Sequence, residues 1–232
     1  MQRILSVIFI LSILTGCRAT GIRGFWDNVP LMEQDLRVSE DKYADFAELT
    51  MKVPAEDALA EFDNLYGRLR QDTMAYYLYS EWLEGAFYSI YSPCRNAALF
   101  SRGVEHLIAD GIMPADEYEP FVRKRDWMQL NLKGERAVVP EVETGGGRLL
   151  VLVLDISCPT CREALTSLGS NPDFANTRHV AVCYGHGFQG EVPGWEFVFP
   201  ENFTSFFDSQ MTPVYFVVNE TGEVEQSYSL AL

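Results

Sequence analysis

Cys158-Pro159-Thr160-Cys161 is the one stretch of this 232-residue sequence whose residue types and spacing carry an obvious reaction. Two thiols three positions apart can meet across one helical turn, close enough to form a disulfide. Thiol–disulfide exchange needs a thiolate to attack and a second thiol to resolve the mixed disulfide. The context favours that chemistry. The continuous apolar run Leu149 to Leu154 reads as a strand buried on both faces, and Arg162 to Leu168 reads as a short helix closed by Gly169. A thiol between them lies at a helix N-terminus, where unpaired N–H groups and a partial positive charge stabilise a thiolate. The Cys158 pKa is therefore expected below the free value of about 8.5. Pro159 suits the first helical position and stiffens the loop that Thr160 completes. Cys158 is then the attacking sulfur and Cys161 the resolving one. Asp155, the acid nearest the dithiol, is a candidate proton shuttle or simply a carboxylate at the strand end.

Two more groups bear on this site. Met211-Thr212-Pro213-Val214 sets a proline directly before an apolar strand, a position open to a cis bond or to a trans proline at a strand start. Cys183-x-x-His186 closes a second apolar strand, and with Cys158 and Cys161 it has zinc-ligand spacing. Zinc ribbons, however, hold such pairs on hairpin knuckles, whereas Cys158 leads into a helix, so no metal is expected. Cys183 is then a buried strand thiol or an extra redox thiol. Cys94 and His106 stand alone in a helical region. The first reads as a buried thiol or one half of an interdomain disulfide, the second as structural.

The elements that must position these residues fall into two regions. From about residue 39 to 132 the apolar period is helical: Leu59, Phe62, Tyr66 and Leu69 form one stripe, Tyr79, Leu83, Phe87 and Ile90 another. Pro54 and Pro114 open helices, Ser92-Pro93 breaks one, and Gly111 ends another. After Gly134 the period changes. Strands are expected at 136–142, 149–154, 179–184, 214–218 and 223–228, with a turn at 219–222 and a short helix at 202–209. The fold class is α+β in two domains: an all-α helical domain at 39–132, then an α/β domain at 133–232.

Eighteen basic against thirty-three acidic residues give a net charge of −15, which argues against a nucleic-acid partner. Gln2-Arg3 followed by the apolar run Ile4 to Leu14 is too short to span a bilayer but matches a secretory signal at 1–16. It ends in Leu14-Thr15-Gly16-Cys17, which looks like a bacterial lipobox with Cys17 as the lipidated N-terminus. Residues 17–38 then read as a tether. A protein anchored this way works in the cell envelope, on the periplasmic side or at the cell surface, where disulfides persist.

Residues 136–228 resemble a thioredoxin-like domain of the TlpA/ResA type. The whole chain resembles the Bacteroidetes lipoproteins that carry a helical domain of unknown function ahead of that fold. The stretches that carry the likeness are Leu14 to Cys17, Leu130-Asn131-Leu132-Lys133-Gly134, Leu149 to Cys161 and Thr212-Pro213. The resemblance implies a cis-proline loop facing the dithiol, with Thr212 offering its backbone to an extended substrate. It also implies thiol–disulfide oxidoreductase activity as a reductase or isomerase, with no cofactor. The partners it implies are protein disulfides as substrates and a membrane thiol transporter as electron donor. Two positions depart from the pattern: Ser157 stands where a Trp commonly precedes the first cysteine, and Leu152 where thioredoxin keeps a buried acid. A non-catalytic interaction module with a structural disulfide is the competing reading.

Overall fold

The structure, a computed structural model, describes residues 21–185 and 192–231. The expected signal segment, Cys17 and His186 lie outside the described residues. Five helices come first: α1 (Leu36–Thr50), α2 (Ala55–Leu69), α3 (Thr73–Leu83), α4 (Ala97–Asp110) and α5 (Ala115–Met128), with a π-helical turn, Glu84–Tyr88, extending α3. Their starts follow from local chemistry. Asp35, Asp72 and Asn96 each accept a backbone N–H of the first turn of α1, α3 and α4. Pro54 and Pro114 stand just before α2 and α5, and Gly111, at φ 64°, ends α4 in the left-handed conformation. Among the described residues no helix is long and apolar enough to cross a membrane.

Aromatic rings fill the helical core: Trp26, Phe46, Phe62, Tyr66, Tyr76, Tyr79, Phe87 and Phe100 are all buried. Trp26 corrects the tether expected over 17–38, because Ile22 and Trp26 are wholly buried there. The agent is Glu61 of α2, itself buried. Its carboxylate accepts the backbone N–H groups of Gly24 (2.7 Å) and Trp26 (2.9 Å), folding this segment onto the helices.

The second region is a five-stranded sheet: β1 (Leu149–Asp155), β2 (Arg178–Tyr184), β3 (Trp195–Val198), β4 (Val214–Val218) and β5 (Val224–Leu230), in the order β3-β2-β1-β4-β5. β2 runs parallel to β1 and to β3, while β4 is antiparallel to β1 and to β5. Central β1 explains its own unbroken apolar run. Leu149, Val151 and Val153 pack with Val180, Val182 and Phe216 on one face. Leu150, Leu152 and Leu154 meet Ala164, Leu165 and Leu168 of helix α6 (Pro159–Gly169) on the other.

Two expected elements are not formed. Over 136–142 there is only an isolated bridge, Arg136 to Glu223, because Pro140 lacks an N–H and Glu141 sits at φ 63°. Over 202–209 there is no α-helix. Short 3-10 turns at Phe203–Ser205 and Ser209–Met211 replace it, since Asp208 is extended (φ −83°, ψ 116°) and caps the second turn. Helices thus precede a mixed sheet, but the two regions are interlocked rather than separate. Ile90 packs against the sheet and Met211 against the helical core. Asn131, buried at the junction, accepts the Val138 N–H at 2.7 Å and donates to the Tyr228 hydroxyl at 2.9 Å.

Candidate functional site

β1 delivers the chain to the site and a tight turn redirects it. The Asp155 carboxylate accepts the Ser157 N–H (2.8 Å) and hydroxyl (2.7 Å), while the Asp155 carbonyl accepts the Cys158 N–H at 3.1 Å. Ile156 is tied across to the Tyr184 carbonyl at the end of β2 (3.2 Å). Cys158 therefore falls on the N-cap of α6 with extended geometry (φ −81°, ψ 122°), and Pro159 opens the helix. The boundary lies three residues ahead of Arg162, where the sequence pattern set it, because a proline at the first position hides the apolar period.

The two thiols differ in exposure and in acidity. Cys158 is partly exposed and Cys161 is wholly buried, and both are free thiols. Partial burial pushes the Cys158 thiol up. The Cys161 backbone N–H, the Cys161 thiol, and the backbone and hydroxyl of Thr160 together outweigh that and hold it below its ordinary value. The neutral Cys158 side chain makes no capping hydrogen bond; the ionised sulfur is what these donors stabilise. Cys161 is pushed up to about 12, first by burial and then by the neighbouring Cys158 sulfur, against smaller opposing contributions from the Asp155 backbone and the Thr212 side chain.

Thr212 and Pro213 thus come to the dithiol from the far end of the chain, and the Thr212–Pro213 bond is cis. Of the two expectations for Asp155, the contacts seen are those of a carboxylate at the strand end. Its carboxylate is taken up by Ser157, and only its backbone bears on Cys161. Leu152 is fully buried in the apolar layer.

Cys183, paired in register with Leu154, is buried and free. Burial first, and Cys161 second, push its thiol up to about 12. Among the described residues no three His, Cys, Asp or Glu side chains are grouped to hold a metal. Cys94 is a buried free thiol in the helical core, not half of a disulfide. His106 lies against Asp63 (2.8 Å) and stacks on Tyr66 (4.7 Å between centroids) inside the helical layer. Sequence reasoning missed Tyr88 and Asp208, whose side chains join the helices to the loop before Pro213 (2.7 Å). In the sequence Tyr88 is one of many rings between Tyr76 and Tyr91, and no local signal marks the partnership.

A dithiol at a helix N-terminus, on a sheet of this order, beside a cis-proline loop, defines a thioredoxin-like fold. No protein-family model matches the chain, and no curated protein matches it. Among solved structures, it is similar to the crystal structure of a thioredoxin-like protein from Bacteroides caccae ATCC 43185, with a TM-score of 0.72 at 15% identity. The likeness covers 100% of this chain and 96% of that one, so it takes in the helices as well as the sheet.

Proposed function

We propose that this protein is a lipid-anchored thiol–disulfide oxidoreductase of the cell envelope, similar to the TlpA/ResA type, working as a reductase or isomerase on protein disulfides. The observation that carries the reading is the opposed acidity of Cys158 and Cys161 at the start of α6. The partly exposed sulfur is ionised most readily, and the buried one stays protonated until it is needed. In the reaction, the Cys158 thiolate attacks one sulfur of a substrate disulfide. That S–S bond breaks, a mixed disulfide forms, and the other substrate sulfur leaves as a thiolate and takes a proton. Cys161 then gives up its proton and attacks Cys158. The second substrate thiol is released and the Cys158–Cys161 disulfide remains. The substrate has gained two electrons and the dithiol has lost them. An external dithiol, in the cell a membrane thiol transporter, restores the reduced pair. The acyl chains on Cys17 keep the domain at the membrane where that donor resides.

Insulin reduction driven by dithiothreitol tests the reading. The protein should accelerate it, Cys158→Ser should abolish the acceleration, and Cys161→Ser should accumulate a mixed disulfide with the substrate. Turnover no faster than dithiothreitol alone would leave a non-catalytic module in its place.

A further inference from the structure

The helical layer reaches the segment leading into Thr212-Pro213 at three points. The Tyr88 hydroxyl donates to Asp208 Oδ2 at 2.7 Å. The Trp127 indole N–H donates to the Thr204 carbonyl at 3.0 Å, and the Met211 side chain packs on the helical core. Asp208 is the pivot. Its Oδ1 accepts the Gln210 N–H at 2.9 Å and its carbonyl accepts the Met211 N–H at 3.1 Å. One step further, the Thr212 hydroxyl donates to the Ser209 carbonyl at 3.0 Å, and the same side chain faces the Cys161 sulfur. A continuous set of contacts therefore runs from Tyr88 through Asp208 and residues 209–212 to the dithiol.

Tyr88 itself is firmly held. It is 4% exposed, lies on Phe100 with 5.2 Å between centroids, and its carbonyl accepts Arg95 Nε at 3.0 Å. The back of the loop is less so. A cavity of about 30 Å³, room for about one water, lies between Tyr88, Arg95, Met128, Asp208, Met211 and Val214. The polar tie therefore acts beside the Met211 packing and the Trp127 bond in registering helices and loop.

We infer that Tyr88 is a positioning residue: through Asp208, the helical layer fixes where the Thr212-Pro213 loop stands against the dithiol, and so how an extended substrate is received. This rests on the thiol-exchange reading for its substrate, but not for the geometry of the loop. It also gives the helices a part in the site.

Tyr88→Phe removes the hydroxyl and keeps the ring on Phe100. Asp208→Asn keeps the tie, because its amide can donate to the Tyr88 oxygen while Oδ1 still accepts from Gln210. In the full chain, amide hydrogen exchange over 209–212 should quicken about fivefold in Tyr88→Phe, the loss of one hydrogen bond of roughly 1 kcal/mol, and stay near wild type in Asp208→Asn. For insulin reduction, Tyr88→Phe should raise KM several-fold with kcat nearly unchanged, while iodoacetamide alkylates Cys158 at the wild-type rate. Unchanged loop exchange, or an unchanged KM, would overturn the inference, even if the melting temperature fell. A wild-type protein with no turnover would instead strike the exchange reading, and the loop measurement alone would then decide the role of Tyr88.

Discussion

Cys161 sets its thiol against the sulfur of Cys158, and this contact moves the two acidities in opposite directions. A thiol that donates to a thiolate stabilises the charge on its partner and resists forming its own. With the helix N–H groups on the same side of the balance, the first proton of the pair leaves from the accessible sulfur. The pair thus has a built-in order of events, attack from outside and resolution from within.

That order has a consequence for stability. Burial raises Cys161 and Cys183 from 9.0 to about 12. A raised thiol contributes stability that is fully present below the unfolded value and is lost as pH rises through the folded value. Cys158, being lowered, behaves oppositely, and its contribution disappears as pH falls through its depressed value. The reduced protein should therefore lose stability between about pH 9 and 12, and Cys183→Ala should lose less over that interval than wild type. Urea midpoints of the reduced proteins across that range measure it. Parallel pH dependences for the two would show that Cys183 ionises as freely in the folded chain as in the unfolded one.

A second prediction concerns Glu61. Its carboxylate is the acceptor for two backbone N–H groups, of Gly24 and Trp26, and takes a third bond from Asn64 Nδ2 at 3.0 Å. Removing it strands donors in the interior, where each unsatisfied one costs about 1–3 kcal/mol. Glu61→Ala should lower unfolding stability by about 2–4 kcal/mol and expose residues 21–29 to protease. Glu61→Gln, retaining one acceptor oxygen, should lose roughly half as much. Urea unfolding followed by tryptophan fluorescence reads the first effect and limited proteolysis the second. Equal stabilities for all three proteins would mean that the segment is held by the burial of Ile22 and Trp26 alone.

Much of this could be read from the chain because the signals were local. The Cys158 turn, the apolar run of β1 and the stop at Gly111 each depend on residues within a few positions. The order β-α-β then β-β was legible for the same reason. What escaped depends on distant partners. Nothing near Trp26 announces that Glu61 will draw it into the core. Phe203, Phe206 and Phe207 have helical spacing, but all three pack on the same sheet face, which two short turns serve and one helix does not. Ala137 and Val139 alternate like a strand, yet the proline that follows and the left-handed Glu141 turn the segment away. Asp155 shows the limit for function: its position beside the dithiol was readable, but the two donors of Ser157 that occupy its carboxylate were not.

The last prediction tests how closely the helices that carry Tyr88 are packed. Gly103 of α4 faces Leu83, the final residue of α3, from which the π-helical turn continues to Tyr88. A methyl group at Gly103 would stand 2.6 Å from one Leu83 methyl, 2.7 Å from the other and 3.2 Å from Cγ. Leu83 is fully buried, so its methyls have no free space to turn into. Helix propensity alone says that Gly103→Ala should stabilise α4 by up to about 1 kcal/mol. Overpacking in a filled core costs about 1–3 kcal/mol and opposes that gain. The steric cost should win, because two contacts fall inside any distance that real side chains adopt. Gly103→Ala is thus expected to be destabilising. In Leu83→Ala, which by itself leaves a cavity costing about 2–5 kcal/mol, the same substitution should become neutral or favourable. The sign reversal between the two backgrounds, read from urea midpoints in a double-mutant cycle, is the diagnostic. A stabilising Gly103→Ala in the wild-type background would mean that α3 and α4 stand farther apart than described here, and with them the turn that presents Tyr88 to Asp208.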